Sequence, residues 1–234
     1  MKRNHTIISI SAAMSIALAA PACSAQNGYG YGQGMGYGQG MGRGGMRHNP
    51  EEVLARFKYQ ELSKAETENL IHMRGEDKLA RDVYITLYKT WSLRRPFSKI
   101  SNSEQKHMKA IKALLKKYNI ADPYINNRVG VFADPHFTNL YNELVAKGRK
   151  SVVEALTVGA IIEDLDIVDL QKALTQTDNE DIKFVYQNLI RGSRNHLRAF
   201  TRLLRKKGVN YQPRYLDRNT YQNIRNSPKE RCNR

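Results

Sequence analysis

From about Glu51 onward, apolar side chains recur at steps of three and four with almost no alternating run, a pattern that predicts helices and no strands. Good caps mark the boundaries. Ser63-Lys64-Ala65-Glu66 reads as a capping box and opens a helix to about Trp91. Ser101-Asn102-Ser103-Glu104 reads as a second box, opening a helix to about Tyr118. Asp134-Pro135 starts a shorter helix that Gly148 stops. Ser151-Val152-Val153-Glu154 opens the next, to about Thr175, and Asp178 is placed to cap a last long helix that ends before Gly208.

Four long helices follow, with the shorter one in the connection between the second and third. The connections near residues 92–101 and 176–178 are brief, so those neighbours are expected to be antiparallel. A long crossover in the middle is the ferritin-like connectivity. The predicted fold is all-α: a ferritin-like four-helix bundle whose long crossover carries a short extra helix between the second and third long helices.

Polar residues inside the apolar stripes supply the candidate chemistry. Glu76 falls among Met73, Ala80, Val83 and Leu87 on the first helix, with Asp77 and Asp82 further round. Glu104 and His107 share a face with Ile100, Met108, Ile111, Leu114 and Leu115, and their three-residue spacing points both side chains the same way. Glu163 and Asp166 line up with Leu156, Gly159, Ala160, Ile167, Leu170 and Leu174; His196 lines up with Val185, Leu189, Gly192, Ala199 and Leu203. A buried carboxylate without a partner is costly, so four helices carrying metal-capable side chains at core positions point to a shared cation or a shared hydrogen-bond network. Carboxylates with one or two imidazoles suit iron or manganese. Plainer roles exist for each: Glu104 is also the third residue of a capping box, the histidines could be hydrogen-bonded core residues, and Glu163 to Asp166 could be a solvated acidic face.

Residues 73–84, 103–108, 159–167 and 191–200 resemble, in the right order, a bacterial ferritin-like family catalogued as domain of unknown function 2202, and the resemblance spans roughly residues 55–225. The wider group, which includes rubrerythrin and ferritin, implies a dinuclear carboxylate site that oxidises iron or reduces peroxide. By that resemblance Glu76 is the first-helix carboxylate, Glu104 and His107 the second-helix pair, Glu163 and Asp166 the third-helix carboxylates and His196 the fourth-helix histidine. The chain departs from the pattern at Ser193, where a second Glu-x-x-His would have a carboxylate, and at Gly75, where the family usually has Glu.

The ends differ from the middle. Residues 1–25 join a basic start to an apolar run and small residues, the pattern of a secretory signal peptide, which predicts a periplasmic or extracellular protein. Cys23 stands where a lipoprotein could be acylated, after a poor version of the preceding residues; the other cysteine is Cys232, so no intramolecular disulfide is expected in the mature chain. Residues 26–50 are a Gly/Tyr/Met-rich linker, read as a tether, with soft-metal binding as the sharper alternative. The helical domain is assigned to residues 51–225 and a basic flexible tail to 226–234.

The formal charge of +16 is concentrated at the C-terminal end, where residues 183–234 hold fourteen Lys and Arg against Asp217 and Glu230. Arg191, Arg194, Arg198, Arg202 and Arg205 form a stripe on the face opposite His196. For an exported chain this fits anionic cell-envelope polymers or lipid headgroups better than nucleic acid. It supports the alternative function, a metal-free helical protein attached to such a surface. Metal ions are the expected partners of the first reading, and a homodimer is compatible with either.

Overall fold

The computed structural model describes residues 49–231. The signal-peptide segment, the linker up to residue 48, Cys23 and Cys232 lie outside the described residues. Among the described residues the chain is all-helical, without strands: α1 (Pro50–Leu54), α2 (Lys64–Trp91), α3 (Lys99–Lys117), α4 (Pro135–Gly148), α5 (Val152–Leu174), α6 (Glu180–Lys206) and α7 (Arg218–Asn226), with a π-turn at Arg94–Ser98 before α3. No helix among them is long and apolar enough to cross a membrane.

Ser63 and Glu66 cap α2 reciprocally, Asp134 caps α4 with Pro135 in its first turn, and Ser151 caps α5, all as their sequence motifs require. Two expected caps are not used. Phe97 is fully buried against Tyr84 and Phe200, which seats the Arg94–Ser98 turn on the long helices, so α3 starts at Lys99 and Ser101 lies inside it. Asp178 is exposed, and Asn179 holds the N-cap position of α6 while its side chain donates to Glu66 Oε1 at 2.8 Å. Asn179 is drawn inward because Glu66 also binds Thr177, tying the start of α2 to the α5–α6 connection.

Contacts along the four long helices run in opposite sequence directions. Arg81 bonds Gln105 while Asp77 faces His107, so α2 and α3 are antiparallel. Glu163 meets His196 and Gly159 meets Phe200, which sets α5 against α6 in the same way. Tyr84 reaches Glu163 and Asn69 reaches Gln176, pairing α2 with α5; Glu104 reaches His196 and Tyr118 reaches Asp181, pairing α3 with α6. The aromatic layer of Tyr84, Phe97 and Phe200 lies on one side of the Glu104 level. On the other side is an aliphatic layer that includes Leu70, Met73, Ile111, Leu114, Leu170, Val185 and Leu189.

Three polar networks fasten the irregular segments. On α2, Lys78 and Arg81 enclose Asp82; Lys78 also donates to Arg128 O, Arg81 to Asn127, and Gly130 N–H to Asp82 Oδ2. Arg74 grips Asp122 with two hydrogen bonds at 3.1 and 2.9 Å. The α3–α4 crossover is thereby held to α2. On α5, Asp164 accepts from Tyr211 Oη and from the N–H groups of Arg214, Tyr215 and Leu216, which binds the segment after α6 across the helices.

The C-terminal segment set apart as a basic tail is in contact with α6 as far as Glu230. Arg194 and Arg198 both pair with the Glu230 carboxylate, Asn195 bonds its backbone, and Arg198 reaches Ile224 O and Ser227 Oγ. The stripe on the face opposite His196 is thus divided: Arg194 and Arg198 are half-buried under residues 224–230, Arg191 bonds Asn188, and Arg202 and Arg205 are exposed. An acceptor near the end of the chain decides this, and helix periodicity carries no information about it.

Candidate metal centre

Glu104 is the middle of the site. It is fully buried on α3, one turn inside the helix start, and each of its oxygens faces a different imidazole. Oε2 lies 2.8 Å from His107 Nδ1, and Oε1 lies 2.8 Å from His196 Nδ1. Glu163 Oε2 lies 3.3 Å from the same His196 nitrogen, and Asp77 Oδ1 lies 3.7 Å from His107 Nδ1. Two clusters share Glu104: Asp77, Glu104 and His107 on one side, and Glu104, Glu163 and His196 on the other, with the ligand atoms of each within 4.8 Å of one another.

Neighbouring helices are shaped for this convergence. The His107 and His196 rings stack at 5.7 Å between centroids. A Cβ at Gly192 would stand 2.6 Å from His107 Nε2, so only glycine lets α6 approach the ring this closely. Tyr84, fully buried, donates to Glu163 Oε1 at 2.7 Å and leaves Oε2 turned toward His196.

Several of these close atoms do not hydrogen-bond. Both oxygens of Glu104, Glu163 Oε2, Asp77 Oδ2 and His196 Nδ1 are buried without an aligned hydrogen bond, although His196 Nδ1 stands 2.8 Å from Glu104 Oε1 and 3.3 Å from Glu163 Oε2. Buried polar atoms are almost always satisfied, so a group of orphans at one level calls for a missing partner. Two adjacent donors bound to one octahedral ion at about 2.1 Å stand about 3 Å apart. The donor set fits a metal ion by its chemistry and by its spacing.

The electrostatics describe the same deficit of positive charge. Burial pushes Asp77 and Asp166 well above the usual carboxylate range, reinforced by Glu104 and Glu76 for Asp77 and by Glu163 and Glu76 for Asp166. Burial also raises Glu163, with the His196 charge opposing. Burial would raise Glu104 too, but the His107 and His196 imidazoles beside it hold it down to about 2. His196, which burial alone would lower, is pushed up to about 10 by Glu163 and Glu104. Without a cation a proton therefore stays on His196 near neutral pH, and any metal ion bound there would have to displace it.

Of the six metal-capable residues singled out from sequence, Glu104, His107, Glu163 and His196 come together. Asp166 is buried beside them, but it belongs to neither three-residue cluster. Glu76 turns elsewhere, to His72 and Asp169. Asp77 comes to the His107 side in its place. The periodicity contained this: Leu70, Met73, Asp77, Ala80, Tyr84 and Leu87 step by three and four along one stripe. The stripe through Glu76 competes with it because α2 is buried on every side from Met73 to Tyr84. Ser193 is buried, and Gly75 leaves room for the Phe137 ring, which a Cβ would meet at 2.3 Å.

The sequence matches the family described as "Uncharacterized protein domain (DUF2202)" over residues 66–228. It is 56% identical over 180 residues to a protein called "Uncharacterized protein MJ0754" from Methanocaldococcus jannaschii, covering 77% of this chain and 97% of that one. A solved structure titled "Crystal structure of hypothetical protein MJ0754 from Methanococcus jannaschii DSM 2661" aligns with a TM-score of 0.72 at 57% identity, over 74% of this chain and 98% of that one. The chain belongs to the DUF2202 family.

Proposed function

We propose that this DUF2202 protein is an exported, ferritin-like four-helix-bundle protein that binds iron or manganese through Asp77, Glu104, His107, Glu163 and His196. The orphaned donors around Glu104 carry this reading: Glu104, with its two oxygens facing two imidazoles off hydrogen-bond alignment, would hold a cation together with Asp77 and His107 on one side or Glu163 and His196 on the other. Antiparallel contacts among the four long helices and the long α3–α5 crossover support the ferritin-like arrangement. Asp166 stands behind the ligands as a further buried acid that adds negative charge to the centre.

A bound iron would supply one-electron chemistry between its ferrous and ferric states, which suits oxidation of iron(II) or reduction of peroxide. The chain's own residues do the rest. Tyr84 fixes the orientation of Glu163, the apolar layers above and below exclude water, and His196 would release its proton to solvent water as a cation takes up its lone pair. The test is retention of iron. Protein loaded with iron(II) without oxygen and desalted should keep one to two ions per chain, and E104Q or H196A should keep fewer than half as many. Equal retention by all three would refute the centre.

A second reading, attachment to anionic envelope polymers or lipid headgroups, is favoured by one observation: Arg202, Arg205, Lys206 and Lys207 are exposed together at the end of α6. Charge reversal at Arg202 and Arg205 should then abolish retention on anionic vesicles at low salt, and unchanged retention would exclude it.

A further inference from the structure

We infer that His72, Glu76 and Asp169 form a second, outer site for a divalent cation, and that this site admits ions to the centre around Glu104. Each residue offers one ligand atom, and the three atoms lie within 4.8 Å of one another. None of the three belongs to the inner clusters. His72 and Glu76 are one turn apart on α2, with His72 Nε2 3.3 Å from Glu76 Oε1, and Asp169 comes across from α5.

The cluster is built rather than incidental. Glu76 is 7% exposed, and its second oxygen is buried without a partner. A charged carboxylate in that position is costly unless a cation or a proton joins it. The His72 side chain is 47% exposed, and its ring lies 5.6 Å from that of Phe137 on α4, so the imidazole is held at the surface with access to solvent. One histidine and two carboxylates suit a first-row divalent ion, and three protein donors leave room for exchangeable water.

Position gives the site its direction. Asp169, Asp166 and Glu163 follow one another at three-residue steps on α5, each an i,i+3 neighbour of the next and rising about 4.5 Å per step. Their burial deepens in the same order, from half-buried Asp169 to 6% exposed Asp166 to fully buried Glu163. On α2, Glu76 of the outer site directly precedes Asp77 of the inner one. A carboxylate thus recurs at each three-residue step of α5 from the level of the half-exposed histidine to the buried centre.

The existence of the outer site is independent of the proposed metal centre; its admitting role rests on that reading. The full chain would be titrated with manganese(II), free ion being followed by electron paramagnetic resonance. Wild type should show a tight class and a weaker one. H72A with D169N changes surface-accessible side chains, and it should remove the weaker class and slow filling of the tight class at least tenfold. E104Q with H196A should lose the tight class and keep the weaker one. If H72A with D169N titrates as wild type, the outer site is refuted. If it loses the weaker class with no change in filling rate, the admitting role is refuted. If E104Q with H196A also removes the weaker class, the two sites are not separate. Loss of only the weaker class in a protein that never shows a tight one would uphold the outer site while refuting the inner centre.

Discussion

Asp164 and Asp166 are two residues apart on the same helix, both buried, and the fold treats them in opposite ways. Asp164 accepts four hydrogen bonds from residues 211–216, so its charge is fully answered by the chain. Asp166 meets other carboxylates, and their charge together with burial drives its pKa well upward. The same contrast separates Asp82, enclosed by Lys78 and Arg81, from Asp77 one and a half turns earlier, which has an orphaned oxygen. Charges that hold segments together are closed by protein partners. Those around Glu104 are left open, and that deficit is what the proposed cation would fill.

Removing a closed charge should therefore hurt stability, and removing an open one should not. The largest effect is expected from D82A, which strands Lys78 and Arg81 in the interior; about 3–5 kcal/mol of unfolding free energy should be lost in denaturant titration. D164A comes next, at about 3 kcal/mol, because a buried hydroxyl and three N–H groups lose their acceptor. Limited proteolysis should then cut after Gly208, where wild type resists. If either variant is as stable as wild type, the closed class does not exist as described.

The open class carries the opposite sign. A carboxyl whose pKa is raised on folding loses stability as pH climbs above its unfolded value, because the unfolded chain ionises first. D166N should accordingly stabilise the metal-free protein by about 1 kcal/mol at pH 7 and have no effect near pH 3. A destabilisation at pH 7 would place Asp166 with Asp164. Glu66 gives the smallest and cleanest check. Burial acts to raise it, but hydrogen bonds from Thr177, Asn179 and Ser63 bring it to about 2, so its contribution is complete above the unfolded value of 4.5 and lost as pH falls toward 2. E66Q should flatten the acid limb of a stability–pH curve between those values, and a curve parallel to wild type would remove Glu66 from the closed class.

Much of this was legible in the chain itself. Caps at Ser63, Asp134 and Ser151 and the stops near Trp91, Gly148 and Gly208 located the long helices because they are local signals. The Glu104–His107 pair and His196 were legible because their helices have one apolar face. On α2 the choice between Glu76 and Asp77 could not be made from periodicity, since every position from Met73 to Tyr84 is buried. The roles of Asp164 and Glu230 depend on partners 47 and 36 residues away, and no local pattern encodes them. Asp169 was hidden for the same reason: its partners lie on another helix.

The most direct test of the open class is a crystal of the full chain soaked in manganese(II) and measured at a wavelength where manganese scatters anomalously. Density peaks are expected between Glu104 and each of His107 and His196, with Asp82 and Asp164 unchanged. A map without a peak at Glu104 at saturating metal, with the two imidazoles still facing its carboxylate, would contradict the open class.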